Sequence, residues 1–138
     1  SGGGDIGGDL KYAVYDAAGI TGGAEALGSL YIDTDRVEIR EAGALRGTGT
    51  FDAESRLKKE IGDEQVKIMA IGPAGENLVR FACISSERYR QLGRGGIGAV
   101  WGSKNLKAIL VKGTGPMPTT SLTSTASRTS LSTSVTKP

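Results

Sequence analysis

Apolar and polar positions alternate most regularly from Leu27 to Asp33 and again from Arg36 to Glu41. With Thr34-Asp35 between them, this two-residue period predicts a β-hairpin whose Ile32, Val37 and Ile39 face inward, although the turn lacks glycine. A helical period follows. Phe51, Ala53, Leu57 and Ile61 form a modest core-facing stripe over a helix from about Phe51 to Ile61. Thr50 is its expected cap, with Asp52 and Glu54 near its positive end, Lys58 and Lys59 near its negative end, and Gly62 as its stop. Val66 to Ile71 reads as a compact apolar strand closed by Gly72-Pro73, and Leu78 to Ser85 as another. Leu106 to Lys112 reads as a third, ended by Pro116 and Pro118. A short helix over Asp9 to Asp16 would bring Leu10, Ala13 and Val14 together. The mix predicts an α+β fold of antiparallel sheets with a few short helices.

Composition narrows the picture. At 138 residues the chain supports one small domain. Residues 119 to 138 contain thirteen Ser or Thr and no aromatic, so 116–138 is expected to be a disordered tail beyond a domain at 1–115. Seventeen basic against fifteen acidic residues leave +2, which argues against bulk-charge binding to nucleic acid or membrane. No apolar run is long enough to span a bilayer and no signal peptide is visible, so the expected location is the cytoplasm. The single Cys83 excludes an internal disulfide framework and a four-cysteine iron–sulfur cluster from this chain alone; its expected role is packing in a strand. The absence of histidine removes the commonest general base and metal ligand.

Chemistry concentrates in Gly93-Arg-Gly-Gly-Ile-Gly-Ala-Val-Trp-Gly-Ser-Lys-Asn-Leu-Lys-Ala-Ile-Leu-Val-Lys-Gly113, a glycine-rich turn, a short helix from Ile97 and a strand in unbroken succession. Glycines 93, 95, 96 and 98 allow close backbone approach, Arg94 offers a bidentate fork to a phosphate, and the helix start adds unpaired N–H groups. The same letters also serve any tight connection. A dinucleotide fingerprint does not fit, because no strand feeds a three-glycine turn with a ribose-binding acid at the required distance. Glu76 reads as a loop acid bonding its own backbone, and Lys104 and Lys107 as solvated charges flanking a strand.

Gly8-Asp-Leu-Lys-Tyr-Ala-Val-Tyr-Asp16, Leu30-Tyr-Ile-Asp-Thr-Asp-Arg-Val-Glu-Ile-Arg40, Gly72-Pro-Ala-Gly-Glu-Asn77 and Gly93-Arg-Gly-Gly96 occur in an order that resembles the N-terminal domain of the tungsten-containing aldehyde ferredoxin oxidoreductases. The resemblance runs from Ser1 to about Gly115. It implies a strand over residues 17 to 23, weak because Ala18 and Gly19 suit strands poorly. It implies a surface on which a tungsten bis-pterin cofactor lies, touched by Ser1, Gly2, Gly3 and Gly4 and by Arg90, Gln91, Leu92, Gly93, Arg94, Gly95 and Gly96. Backbone carbonyls near Ser1 and Gln91 would face the magnesium joining the pterin phosphates. The family often has Asn where Ser1 stands and small residues where Gln91 and Leu92 stand.

The activity implied is oxidation of an aldehyde to a carboxylic acid, with electrons leaving to ferredoxin through a 4Fe-4S cluster held in domains beyond this sequence. No catalytic residue is expected from the chain itself. Beginning inside a glycine-rich loop, it reads as a fragment inactive alone, with unpaired strand edges. Two other readings stay open: a standalone domain binding another phosphorylated ligand, and a cradle subunit completed in trans or as a homodimer.

Overall fold

The computed structural model describes residues 5–13, 15, 17–114, 123–128 and 131–136, with the backbone alone for residue 17 and for the strands beyond 122. Six strands form a mixed sheet: β2 (Gly28–Asp33), β3 (Val37–Glu41), β4 (Lys67–Ile71), β5 (Ile84–Ser86), β6 (Arg90–Leu92) and β7 (Leu106–Lys112), in the order β3-β2-β7-β4-β5-β6. The predicted hairpin is β2 and β3, with Leu30 opposite Ile39 and Ile32 opposite Val37. The fold is α+β, as expected, but its sheet is not purely antiparallel: β2 and β7 run parallel. β7 lies between β2 and β4 and is buried from Leu106 to Val111, the continuous apolar signature of a strand covered on both faces.

Alternation along these strands divides the core. Tyr31, Ile68, Ala70, Ala108 and Leu110 pack with Leu45, Leu57 and Val66 on the face of helix α2 (Thr50–Ile61). Leu30, Ile32, Ile109 and Val111 belong to the other face, with Ile6 and Leu10 of α1 (Ile6–Tyr12), Ile20 of β1 (Ala17–Gly22) and Trp101 of α4 (Ile97–Ser103). Each buried Leu or Ile contributes roughly 1.5–3 kcal/mol relative to exposure, so both faces matter to stability.

The local departures have identifiable causes. α2 is capped by Gly49 in extended conformation rather than by Thr50, which is its first helical residue; no side chain caps it. Gly62 ends it at φ 73° as expected, its N–H donating to Lys58 O. α1 runs over Ile6–Tyr12 instead of 9–16, and Val14 and Asp16 lie outside the described residues. The strand expected over 78–85 shortens to Ile84–Ser86: a one-turn helix, α3 (Pro73–Glu76), is followed by Leu78 at φ 58°, which breaks extended backbone. Leu78 and Phe81 are consequently exposed.

In the segment for which composition predicted disorder, the structure describes two strands, β8 (Thr123–Arg128) and β9 (Leu131–Thr136). They pair with each other, and β9 pairs with β1, giving a second sheet of order β1-β9-β8. Threonine suits a strand, and β1 offers an edge to extend, two local preferences that a composition argument does not contain.

Candidate functional site

The predicted cofactor segment Arg90–Gly96 begins as β6, not as loop. β6 pairs with β5 through Ile84↔Leu92, Ser85↔Gln91 and Ser86↔Arg90, joined by the three-residue connection Glu87–Tyr89. Glu87 and Arg88 both take left-handed backbone, at φ 51° and 64°, a conformation costing on the order of 1–3 kcal/mol for non-glycine residues and sustained only by surrounding contacts. Those contacts are present. Arg88 donates to Ser55 Oγ at 2.9 Å and lies 3.8 Å from Glu54, which also pairs with Lys58 at 3.2 Å. Tyr89 stacks obliquely on Phe51, with ring centroids 6.1 Å apart. The connection is therefore docked on α2.

Gln91, bulkier than the resemblance would place there, has its amide engaged: Oε1 accepts from Cys83 Sγ at 2.9 Å, and Nε2 donates to Ser85 Oγ at 3.0 Å. Cys83 is half-buried just before β5 rather than packed within a strand. Arg90 lies 3.8 Å from Glu87, whose other oxygen accepts the backbone N–H of Asp5 at 2.9 Å. Arg94 is exposed and has no hydrogen-bond or ion-pair partner among the described residues.

The glycines fall into two environments. A side chain at Gly95 would meet open space, and one at Gly93 would only touch Cys83 Cβ at 3.9 Å. A side chain at Gly96 would overlap the Arg80 carbonyl, at Gly98 it would lie 2.6 Å from the Cys83 carbonyl, and at Gly102 it would overlap the Gly75 carbonyl. Gly93 and Gly95 thus border open space, whereas Gly96 and Gly98 serve packing of α4 on the 75–83 backbone. α4 is seven residues long, and its Gly98 N–H already donates to Ala82 O at 3.0 Å, so that donor of the helix start is not free.

Beneath this platform lies an ion pair that the residue types alone did not disclose. Between Gly28↔Leu106 and Ser29↔Ala108 the register shifts, leaving Lys107 as the extra residue of a bulge. Lys107 is wholly buried rather than solvated: Nζ donates to Glu76 Oε1 and, at 2.9 Å, to Thr48 O. The second Glu76 oxygen accepts Gly47 N–H at 2.8 Å. Glu76 therefore bonds across the fold rather than to its own loop, tying α3 to β7 and to the connection before α2. The signal available in the sequence was a lysine inside an otherwise apolar strand, which demands a buried partner.

Ser1, Gly2, Gly3 and Gly4 lie outside the described residues, so only Asp5 marks where that segment joins the fold. Around Asp5 the charges are mixed. Asp5 pairs with Lys67 at 3.7 Å, and burial pushes the Asp9 carboxyl up, opposed by Lys67 and reinforced by Asp5 and Glu87. A separate cavity of about 420 Å³ between α1, β1, α4 and the sheet is apolar apart from Lys104, whose Nζ donates to Gly22 O; none of the expected cofactor residues among those described lines it. Among the described residues no helix is long and apolar enough to cross a membrane, and no three acidic, Cys or His side chains are grouped to hold a metal ion.

Comparison with known proteins places this arrangement. Residues 1–113 match the family model described as aldehyde ferredoxin oxidoreductase, N-terminal domain. The chain belongs to this family. An aldehyde ferredoxin oxidoreductase of Pyrococcus furiosus, named as tungsten-containing, is 50% identical over 116 residues, covering 84% of this chain and 19% of that protein. The aliphatic sulfonate oxidoreductase WOR-like subunit of the same organism is 41% identical over 126 residues, covering 83% of this chain and 20% of that one. Among solved structures, the active site complex BamBC of benzoyl coenzyme A reductase with 1,5-dienoyl-CoA superposes with a TM-score of 0.74 at 43% identity, covering 79% of this chain and 16% of that one. The aldehyde ferredoxin oxidoreductase domain seen here thus spans about a fifth of the length of the relatives it matches.

Proposed function

We propose that the chain supplies part of the bed for a tungsten bis-pterin cofactor in an oxidoreductase that converts an aldehyde to a carboxylic acid and passes electrons to ferredoxin. The carrying observation is Arg94: a fully charged, exposed guanidinium without a protein partner among the described residues, between Gly93 and Gly95, where backbone is open to close approach. Such a group suits bidentate hydrogen bonding to a phosphate. Arg90 is the second cation, and the backbone carbonyls of Ser1 and Gln91 are the groups that would hold a magnesium ion accompanying the cofactor. When bound, the tungsten centre supplies the two-electron chemistry, while the protein contributes position and electrostatics.

The chain's own contribution is binding. It holds phosphate charge on Arg94 and Arg90 and keeps the turn rigid from below through the α3–α4 packing. Names among the relatives support this division of labour: the aldehyde, aliphatic sulfonate and benzoyl coenzyme A oxidoreductases share this domain at 41–50% identity, so substrate choice is assigned to the rest of the enzyme, together with the 4Fe-4S cluster. Thermal melts of the chain with and without tungstopterin released from a tungsten enzyme test the proposal. The midpoint should rise with cofactor in the native chain and stay unchanged in Arg94→Ala; no rise in the native chain overturns it.

A further inference from the structure

We infer that the cavity between α1, β1, α4 and the sheet is a binding site for a monocarboxylate with an aliphatic tail, the tail lying among Leu10, Ile20, Trp101 and Ile109 and the carboxylate on Lys104. The site is separate from the phosphate surface and does not rest on the reading above. Its volume of about 420 Å³ lies within the roughly 300–1,000 Å³ of pockets that take small molecules. Close-packed interiors leave few voids larger than a water, and a water is held only by about two to four polar partners. This lining offers one charged side chain and otherwise apolar ones, so an apolar occupant suits it better than solvent.

The periods of the elements deliver this lining. Ile6 and Leu10, four apart on α1, share a helix face, and Ala18 and Ile20, two apart on β1, share a strand face. Ile109 and Val111 of β7 lie buried beneath them. Ile6, Leu10 and Ile20 pack on that core yet remain only partly buried, which leaves apolar surface for a tail to cover. Lys104, expected from the sequence to be a solvated charge, is the exception in the lining. Its N–H donates to Trp101 O at 3.1 Å, its carbonyl accepts Ala24 N–H at 3.0 Å, and its Nζ donates to Gly22 O at 3.0 Å. The ammonium has three donors, of which Gly22 takes one. No acidic side chain among the described residues pairs with it or lines the cavity. A single cation, held in place without a counter-ion beside an apolar cavity, matches a ligand with one negative charge and an apolar body.

Octanoate is the probe, and Trp101, the only tryptophan of the 138-residue chain, is the reporter. Its emission and the melting midpoint are followed with octanoate, 1-octanol and octylammonium, each below its micelle concentration. Octanoate should change the emission saturably and raise the midpoint, and octylammonium should bind about tenfold more weakly. From pentanoate to octanoate the affinity should rise about fourfold per methylene, the worth of burying a CH2 group. Lys104→Met should cost octanoate about tenfold while leaving 1-octanol unchanged, and Lys104→Arg should restore octanoate. Ala18→Leu, which fills the cavity from β1, should weaken octanoate and 1-octanol alike. Should a variant fail to fold, the native chain's ranking of octanoate over octylammonium decides. Equal affinity for octanoate and octylammonium, or for octanoate in the native chain and Lys104→Met, overturns the carboxylate assignment. An emission change that does not saturate, or a midpoint that falls with octanoate, overturns the site itself. A dimer that octanoate dissociates in sedimentation assigns the cavity to a second copy of the chain and overturns the small-ligand reading.

Discussion

Gly93 and Gly95 lie within five positions of Gly96 and Gly98, yet the two pairs do opposite work. The first pair borders open space beside Arg94, which has no partner among the described residues; the second is pressed against carbonyl groups of the 80–83 backbone, as Gly102 is against Gly75. One stretch of sequence thus joins an open surface, the proposed ligand face, to a platform closed by backbone contact. Glycine is needed on both sides for different reasons, conformational freedom at Gly95 with φ 88° and absence of a side chain at Gly98 and Gly102. Rigidity below and vacancy above belong to the same device.

The comparison breaks most sharply at the buried pair under the platform. Lys107→Met should destabilise the fold by about 3–5 kcal/mol in urea unfolding, since it leaves the Glu76 carboxylate charged and unpaired. In the double variant with Glu76→Leu the loss should be clearly smaller than the sum of the two single ones, and strict additivity would refute the coupling. Gly102→Ala comes next, at about 1–3 kcal/mol or somewhat more, because a methyl group there overlaps the Gly75 carbonyl. Gly95→Ala, with room for the methyl but a backbone at φ 88°, should cost about 1 kcal/mol, and a value as large as that of Gly102→Ala would erase the distinction between open and closed glycines.

Arg94→Ala should leave the melting midpoint unchanged while removing phosphate-dependent stabilisation, the reverse of the Gly102 variant. The smallest effect is expected at the exposed pair of Asp63 and Lys112, 2.8 Å apart. The hydrogen bond from Lys112 holds the Asp63 carboxyl below its ordinary 3.8, and the same bond holds Lys112 above its ordinary 10.5. The Asp63 contribution is therefore present above pH 3.8 and lost as pH falls through the depressed value. That of Lys112 is present below 10.5 and lost as pH rises through the elevated one. Melting curves of Asp63→Asn against the native chain should show a slight, constant offset at neutral pH that shrinks at both extremes; an offset rivalling that of Lys107→Met would contradict the ranking of buried over exposed pairs.

Legibility in the sequence followed the range of the interaction. The β2–β3 hairpin, α2 and β7 could be read because alternation, a helical stripe and an apolar run are local patterns. Lys107 could not be placed, since the bulge that takes it out of alternation exists only when β7 lies beside β2. Residues 78–83 carry strand-like letters but are bent by Leu78 and wrapped against α4, a tertiary demand that overrides propensity. At the candidate site the residue types Arg94 and Gly95 were visible, whereas the allocation of Gly96 and Gly98 to internal contact depended on carbonyls some fifteen residues upstream. Glu87 attracted no notice in the sequence because the group that it bonds, the Asp5 N–H, is 82 positions away.

The place of β7 has a consequence for how the chain must assemble. The strand that fills the middle of the sheet is the last of the six to be synthesised, so β2 and β4 wait without their shared neighbour until residues 106–112 have left the ribosome. Formation of the core is thereby deferred to the end of the domain, a topology dominated by distant pairings and slow to close. The six-stranded sheet is complete only when β7 enters the gap between β2 and β4 and brings Lys107 to Glu76.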